Sequence, residues 1–171
     1  MRELVIGGAR SGKSAYAEKQ ALAHQHNGLG VIYFATAEAH DDEMVARIAH
    51  HRTRRPANWR TVEEPLLLAD ALRREAVPDA CLLVDCLTLW LTNVLLAERA
   101  AEIDRLLEVL PALPGQLILV SNEVGWSIVP ENALARRFRD EQGRLNQRVA
   151  AIADKVTLVA AGLPLCLKSS D

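Results

Sequence analysis

The chain is poor in aromatic side chains, with two Phe, two Tyr and three Trp among 171 residues. That shortage argues against a surface that stacks nucleic-acid bases on rings. Cysteine is also scarce. Cys81, Cys86 and Cys166 make an odd count without CxxC spacing, so neither a disulfide framework nor a cysteine metal site is expected. Reduced thiols in a cytoplasmic protein are the simplest reading. No long apolar run occurs, and the N-terminal MRELVIGG reaches glycine after a few apolar residues, which predicts neither a secretory leader nor membrane insertion. A strong charge of one sign is missing too; the formal net charge of -2 supports no general affinity for polyanions.

What is present describes an ordinary globular protein, half hydrophobic and one quarter charged. Its length fits a single domain over residues 1–171, with no repeat and no linker. Short apolar runs at Leu4–Ile6, Gly30–Ala35, Ala80–Asp85, Gln116–Ser121 and Val156–Ala160 predict strands, and Leu163–Leu167 adds a candidate final one. Helical periodicity falls at Lys13–His26, Asp41–Arg54, Pro65–Glu75, Thr88–Leu110 and Glu131–Ala153. The strand runs are continuous rather than alternating, as expected where helices cover both faces of a parallel sheet. The predicted fold is a three-layer α/β domain with a mostly parallel central sheet.

Between the first strand and the first helix lies GGARSGKS, which matches G-x-x-x-x-G-K-[ST]. A loop of Gly7, Gly8, Ala9, Arg10, Ser11 and Gly12 can turn its backbone N–H groups toward a polyphosphate, and the helix N-terminus adds a favourable field. Lys13 would reach the β- and γ-phosphates, and Ser14 would ligate Mg²⁺. CLLVD ends a strand with Asp85, either a Walker-B acid for the same metal or a cap for the next helix. LILVS leads into Asn122-Glu123-Val124-Gly125, so Glu123 is a second strand-end carboxylate for metal or substrate-hydroxyl contact, or else part of a turn. The stretch after it, GWSIVPEN, is irregular, and sites often lie on such loops. Trp59, Trp90 and Trp126 read first as core or contact residues.

The segment DDEMVARIAHHRTRRP sets two histidines among arginines. On a helical wheel Met44, Val45, Ile48 and Ala49 share an apolar face, with His51 at its edge and His50 opposite. Arg47, Arg54 and Arg55 fall on the His51 side, although Pro56 disfavours helical geometry at Arg55. Crowded like charges favour an anion among them, and neighbouring guanidiniums favour a neutral imidazole able to act as nucleophile. A solvated basic face is the plain alternative.

Taken in order, GGARSGKS, DDEMVARIAHHRTRRPANWRTVEEP, LLVDCLTLWLTN, SNEVGWSIVPEN and FRDEQGRLNQRVAAIAD resemble the bifunctional adenosylcobinamide kinase / adenosylcobinamide-phosphate guanylyltransferase family of cobalamin biosynthesis. The resemblance covers nearly the whole chain and implies a P-loop NTPase domain of RecA-like type. It implies phosphorylation of the aminopropanol hydroxyl of adenosylcobinamide by ATP or GTP. GMP then passes from GTP to adenosylcobinamide phosphate, giving adenosylcobinamide-GDP and pyrophosphate. It further implies GMP carried on His51 with His50 a spectator, nucleotide contacts at Gly7 to Ser14, Thr36, Ala37, Glu38, Arg52, Thr53, Arg54, Arg55, Glu63 and Asp85, and a homotrimer. Some members have Glu where Asp85 stands. The competing readings are a P-loop kinase for another small hydroxylated substrate and a nucleotide-dependent switch protein.

Overall fold

The structure, a computed structural model, describes residues 1–38 and 56–169. The helix predicted at Asp41–Arg54 lies outside the described residues. Seven strands form one sheet: β1 Arg2–Gly7, β2 Gly30–Ala35, β3 Arg60–Glu63, β4 Ala80–Asp85, β5 Gln116–Asn122, β6 Lys155–Ala160 and β7 Leu163–Ser169. Their order is β3-β2-β4-β5-β1-β6-β7. Every neighbouring pair is parallel except β6 with β7. The described helices are α1 Lys13–His26, α2 Leu68–Glu75, α3 Leu87–Leu96, α4 Ala101–Val109 and α5 Ala133–Ile152.

Period-two geometry explains why the strand sequences are apolar throughout. Along β4, Ala80, Leu82 and Val84 enter the core beneath α2 to α5, while Cys81 and Leu83 enter the core beneath α1. β1 divides in the same way, with Leu4 on one side and Val5 on the other, both fully buried. Helices therefore lie on both faces of a mostly parallel sheet, the three-layer arrangement expected from the sequence.

Three elements depart from expectation. β3 follows Trp59 as RTVE, whose exposed or half-buried side chains carry no apolar run to recognise. The helix expected over Pro65–Glu75 begins only at Leu68, because the Glu64 carboxylate accepts from the Leu66 and Leu67 amides, 3.0 and 2.7 Å away, and shapes a turn there. The stretch Thr88–Leu110 is two helices rather than one. Glu98 between them has a φ of 56°, in the left-handed region that ends a helix. At the start of α5 the Asn132 side chain accepts from the Leu134 and Ala135 amides, which fixes where that helix begins within the predicted span.

The tryptophans separate cleanly. Trp90 is fully buried with its indole N–H on the Leu66 carbonyl at 2.9 Å, and Trp59 is buried with its N–H on Gln25 Oε1 at 3.0 Å. Trp126 is 78% exposed.

The edge strand β3 is tied to α2 by an ion pair between Arg60 and Glu75. Hydrogen bonding from Arg60 is the main cause holding the Glu75 carboxyl below its ordinary range; burial opposes it and Arg74 adds to it. A carboxyl with a depressed folded pKa contributes stability that is full above its unfolded value and is lost as pH falls through the folded one. Glu75→Gln is therefore expected to lower stability at neutral pH by up to about 1 kcal/mol. The gap to the parent should close as melts are taken down through the carboxylate range, and a gap independent of pH would contradict the ion-pair account.

Candidate functional site

Parallel strands bring their C-terminal ends to one rim, and the residues singled out in the sequence gather there as far as they are described. β1 turns into the glycine-rich loop at Gly7, β4 ends at Asp85, β5 runs into Glu123, and β2 leads into Thr36. His51, Arg52, Thr53, Arg54 and Arg55 lie outside the described residues.

The loop shows which of its glycines the backbone demands. A Cβ on Gly7 would stand 2.4 Å from the Val159 carbonyl oxygen and 2.6 Å from Ser11 Oγ. Gly12 has a φ of 94°, and its Cβ would meet the backbone of Gly162 at 3.1 Å. A Cβ on Gly8 would meet nothing within 4 Å, so neither conformation nor packing requires glycine there. The loop closes on itself through Ser11 N–H to Gly8 O at 3.3 Å and is anchored to the β6–β7 turn by Gly162 N–H to Ser11 O at 2.8 Å. Arg10 takes the left-handed region at a φ of 55°.

Lys13 opens α1 and is nearly buried, with Nζ donating to the Gly8 carbonyl at 3.1 Å. Burial lowers its ammonium below the ordinary lysine value, while the acidic groups of Cys86 and Asp85 oppose the shift. Lys13 and Asp85 are therefore electrostatic neighbours at the rim, and a phosphate chain would meet a cation already partly stripped of water. The Asp85 carboxylate does not cap α3, whose N-cap residue is Cys86 without a side-chain cap bond. It instead accepts from the Tyr33 hydroxyl at 3.1 Å, a bond between strands that no local sequence pattern signals. Burial, then the charge of Asp85, pushes the Cys86 thiol up to about 11, so it is a neutral packing group. Cys81 is likewise pushed up to about 12, chiefly by burial.

Thr36 is fully buried and its hydroxyl is used twice, donating to the Cys86 carbonyl at 2.7 Å and accepting from the Cys86 amide at 3.0 Å. Its carbonyl accepts from Asn93 Nδ2 at 2.8 Å. Thr36 thus joins the ends of β2 and β4 through its side chain. Ala37 is half-buried, Glu38 and Glu63 are exposed, and Glu63 closes the strand next to β2.

A second fastening, also unread in the sequence, holds the end of β5. The Ser121 hydroxyl donates to Asn146 Oδ1 at 2.6 Å, and Gln142 Nε2 donates to both. Asn146 Nδ2 donates to the Asn122 carbonyl at 3.0 Å, and the Asn122 amide donates to Thr88 Oγ1 at 2.8 Å. The readable signal was a polar i,i+4 pair, Gln142 and Asn146, on the same buried stripe of α5 as Leu145 and Val149.

The glycine geometry predicts a contrast. Gly7→Ala is expected to cost about 1–3 kcal/mol through overpacking against a backbone carbonyl. Gly8→Ala should stay within about 0.5 kcal/mol of the parent. Thermal denaturation without nucleotide checks both, and equal effects would show that the loop does not pack as described.

Comparison with known proteins bears on the fold and on the family. Among solved structures, the flagellar accessory protein FlaH from Methanocaldococcus jannaschii superposes with a TM-score of 0.54 at 12% identity, over 98% of this chain and 77% of that one, a likeness of fold alone. The "Bifunctional adenosylcobalamin biosynthesis protein CobP" of Pseudomonas aeruginosa is 56% identical over 172 residues, covering 98% of both chains. The "Bifunctional adenosylcobalamin biosynthesis protein CobU" of Salmonella typhimurium is 44% identical over 185 residues, covering 98% of this chain and all of that one. Residues 3–167 match the family described as cobinamide kinase / cobinamide phosphate guanyltransferase, and the chain belongs to that family.

Proposed function

We propose that this rim carries out two successive transfers: phosphorylation of adenosylcobinamide by ATP or GTP, then guanylylation of adenosylcobinamide phosphate by GTP through a GMP–His51 intermediate. The observation that carries the nucleotide half is the glycine loop wrapped around a nearly buried Lys13, with Asp85 across from it. The family match and the His-Arg segment carry the transferase half.

In this reading the N–H groups of Gly7, Gly8, Ala9, Arg10, Ser11 and Gly12 line the phosphate chain, and Lys13 meets the β- and γ-phosphates. Ser14 and Asp85 supply oxygen donors only, and no cluster of three His, Cys, Asp or Glu occurs among the described residues. That sparse oxygen set fits Mg²⁺, which takes one or two protein ligands and completes its shell with phosphate oxygens and water. Bound there, the ion would draw charge from the β- and γ-phosphates. His51 would attack the α-phosphorus of GTP, forming an N–P bond as pyrophosphate leaves, and Arg52, Arg54 and Arg55 would stabilise the charge on the transferring and leaving groups. Thr36, Ala37, Glu38, Thr53 and Glu63 would border the nucleotide.

A homotrimer and a cytoplasmic location belong to the same proposal. Leu163, Leu165 and Leu167 of β7 are each more than half exposed, as are Trp126, Ile128, Val129 and Leu134. So much apolar surface supports burial between subunits. Among the described residues no helix is long and apolar enough to cross a membrane. Light scattering is expected to give three times the chain mass, with Leu165→Lys shifting it toward one.

The test of the chemistry is incubation with Mg²⁺ and GTP labelled at the α-phosphate, followed by denaturation and peptide mapping. An acid-labile, base-stable GMP adduct on His51 is expected, absent in His51→Ala and present in His50→Ala. Kinase activity should largely survive in His51→Ala. Lys13→Ala should depress both reactions, whereas unchanged adduct formation there would mean a separate GTP site. An adduct mapped to His50 would overturn the assignment of the nucleophile.

A further inference from the structure

Glu123 stands at the same rim and has no part in either transfer as proposed above. Its amide donates to the Gly7 carbonyl at 3.0 Å, so the residue is stitched to the first glycine of the phosphate loop. The preceding residue, Asn122, is gripped by Thr88 of α3 and Asn146 of α5. Three elements therefore fix the backbone beside Glu123. The side chain is fixed as well: Oε1 accepts from the Gly125 amide at 2.7 Å, while Oε2 has no hydrogen-bond partner among the described residues. The residue is half-buried, and its bond to Gly125 lies at the exposed surface.

Register places the two rim carboxylates at different heights. Asp85 lies level with Val120 of β5, and Gly7 lies level with Asn122. Glu123 is thus three residues beyond Asp85 along the strand direction, roughly 10 Å at the rise of a β-strand. Asp85 sits low, engaged by the Tyr33 hydroxyl and beside Lys13, where the phosphates and their counter-ion belong. Glu123 sits beyond Asp85 along the strand direction and beside the first glycine of the phosphate loop, so its carboxylate is a second, separate acid at this rim.

We infer that Glu123 is the carboxylate that contacts and deprotonates the substrate alcohol in the kinase reaction, an assignment that rests on the function proposed above. The hydroxyl oxygen forms a bond to the γ-phosphorus and its proton passes to Glu123. The bond from the γ-phosphorus to the β–γ bridging oxygen breaks, and the nucleoside diphosphate leaves with that electron pair. Guanylyl transfer to the protein from GTP involves no substrate alcohol and needs no such group.

Glu123→Gln discriminates between this role and a turn-building one, because the amide oxygen of Gln can still accept from Gly125 N–H but cannot take the proton. Two readouts are taken on the same preparation: ATP-dependent phosphorylation of adenosylcobinamide, and formation of the GMP adduct from GTP alone. The expected result is a fall in kinase kcat of about 10²-fold or more, with adduct formation within about twofold of the parent. Retained kinase turnover would reduce Glu123 to a turn residue and overturn the inference. Equal loss of both reactions would overturn it too, since it would place the residue in the shared nucleotide site or in the fold. Parent turnover of adenosylcobinamide in the same assay separates failure of this assignment from failure of the function it rests on.

Discussion

The approach of β6 to the start of the glycine loop is the constraint on which the rim depends. Gly7 passes so close to the Val159 carbonyl that no side chain fits between them, and Gly12 lies against Gly162 in the turn that follows β6. The loop is therefore held from outside by the neighbouring strand, as well as from inside by its own hydrogen bonds. This matters because a loop that must aim several N–H groups at one anion gains affinity only if its conformation is formed before the anion arrives. β6 in turn is paired on both sides, by β1 and by β7, so the supporting strand is not itself a free edge. Lys168 of β7 secures that end further by donating to the Ala150 and Ala151 carbonyls at the last turn of α5, where a cation also meets the favourable end of the helix dipole.

The rest of the rim is set by buried polar side chains rather than by the apolar core. Thr36 and Asn93 bind the end of β2 to that of β4, and Ser121, Asn146, Gln142 and Thr88 do the same for β5. Hydrogen bonds of this kind contribute only about 0.5–1.5 kcal/mol each to stability. Their directionality is the larger effect, because apolar packing tolerates sliding that a buried, nearly satisfied network does not. Placing such networks where strands stop and loops begin gives the carboxylates of Asp85 and Glu123 fixed origins.

Much of this was legible in the sequence, and the boundary is physical. β4 and β5 were readable because burial on both faces writes a continuous apolar run, and the glycine loop because a close approach and a left-handed turn admit little else. β3 was unreadable because RTVE at a sheet edge buries almost nothing and leaves no pattern. The break near Glu98 was hidden because ERAAEI carries helix formers throughout, so only the left-handed conformation itself marks the end. At the site, the identities of Lys13 and Asp85 were apparent, but the bond from Tyr33 to Asp85 joins residues on different strands and leaves no local trace. Thr36 shows the converse: the resemblance marks it as a nucleotide contact, while its hydroxyl is occupied in joining two strand ends.

The chemistry gives a reason for the proposed division of the two transfers between different side chains. Moving a γ-phosphoryl group to an alcohol needs an acceptor for one proton beside the attacking oxygen, and a carboxylate suits it because it returns to its charged form in water. Moving GMP by way of the protein needs a nucleophile that becomes a good leaving group once phosphorylated, and an imidazole supplies that where a carboxylate beside so many phosphate charges would be repelled. The surroundings each group requires are opposed. A histidine nucleophile gains from neighbouring guanidiniums, which disfavour its charged form and offset phosphate charge, whereas guanidiniums beside a carboxylate lower its proton affinity and weaken it as a base. In this chain the arginines follow His51 in the segment between β2 and β3, while Glu123 stands at the end of β5, with β4 lying between β2 and β5 in the sheet. Under the proposed roles one phosphate loop would serve both reactions, because such a loop recognises what the two nucleotides share and leaves the attacking group to decide which phosphorus is attacked.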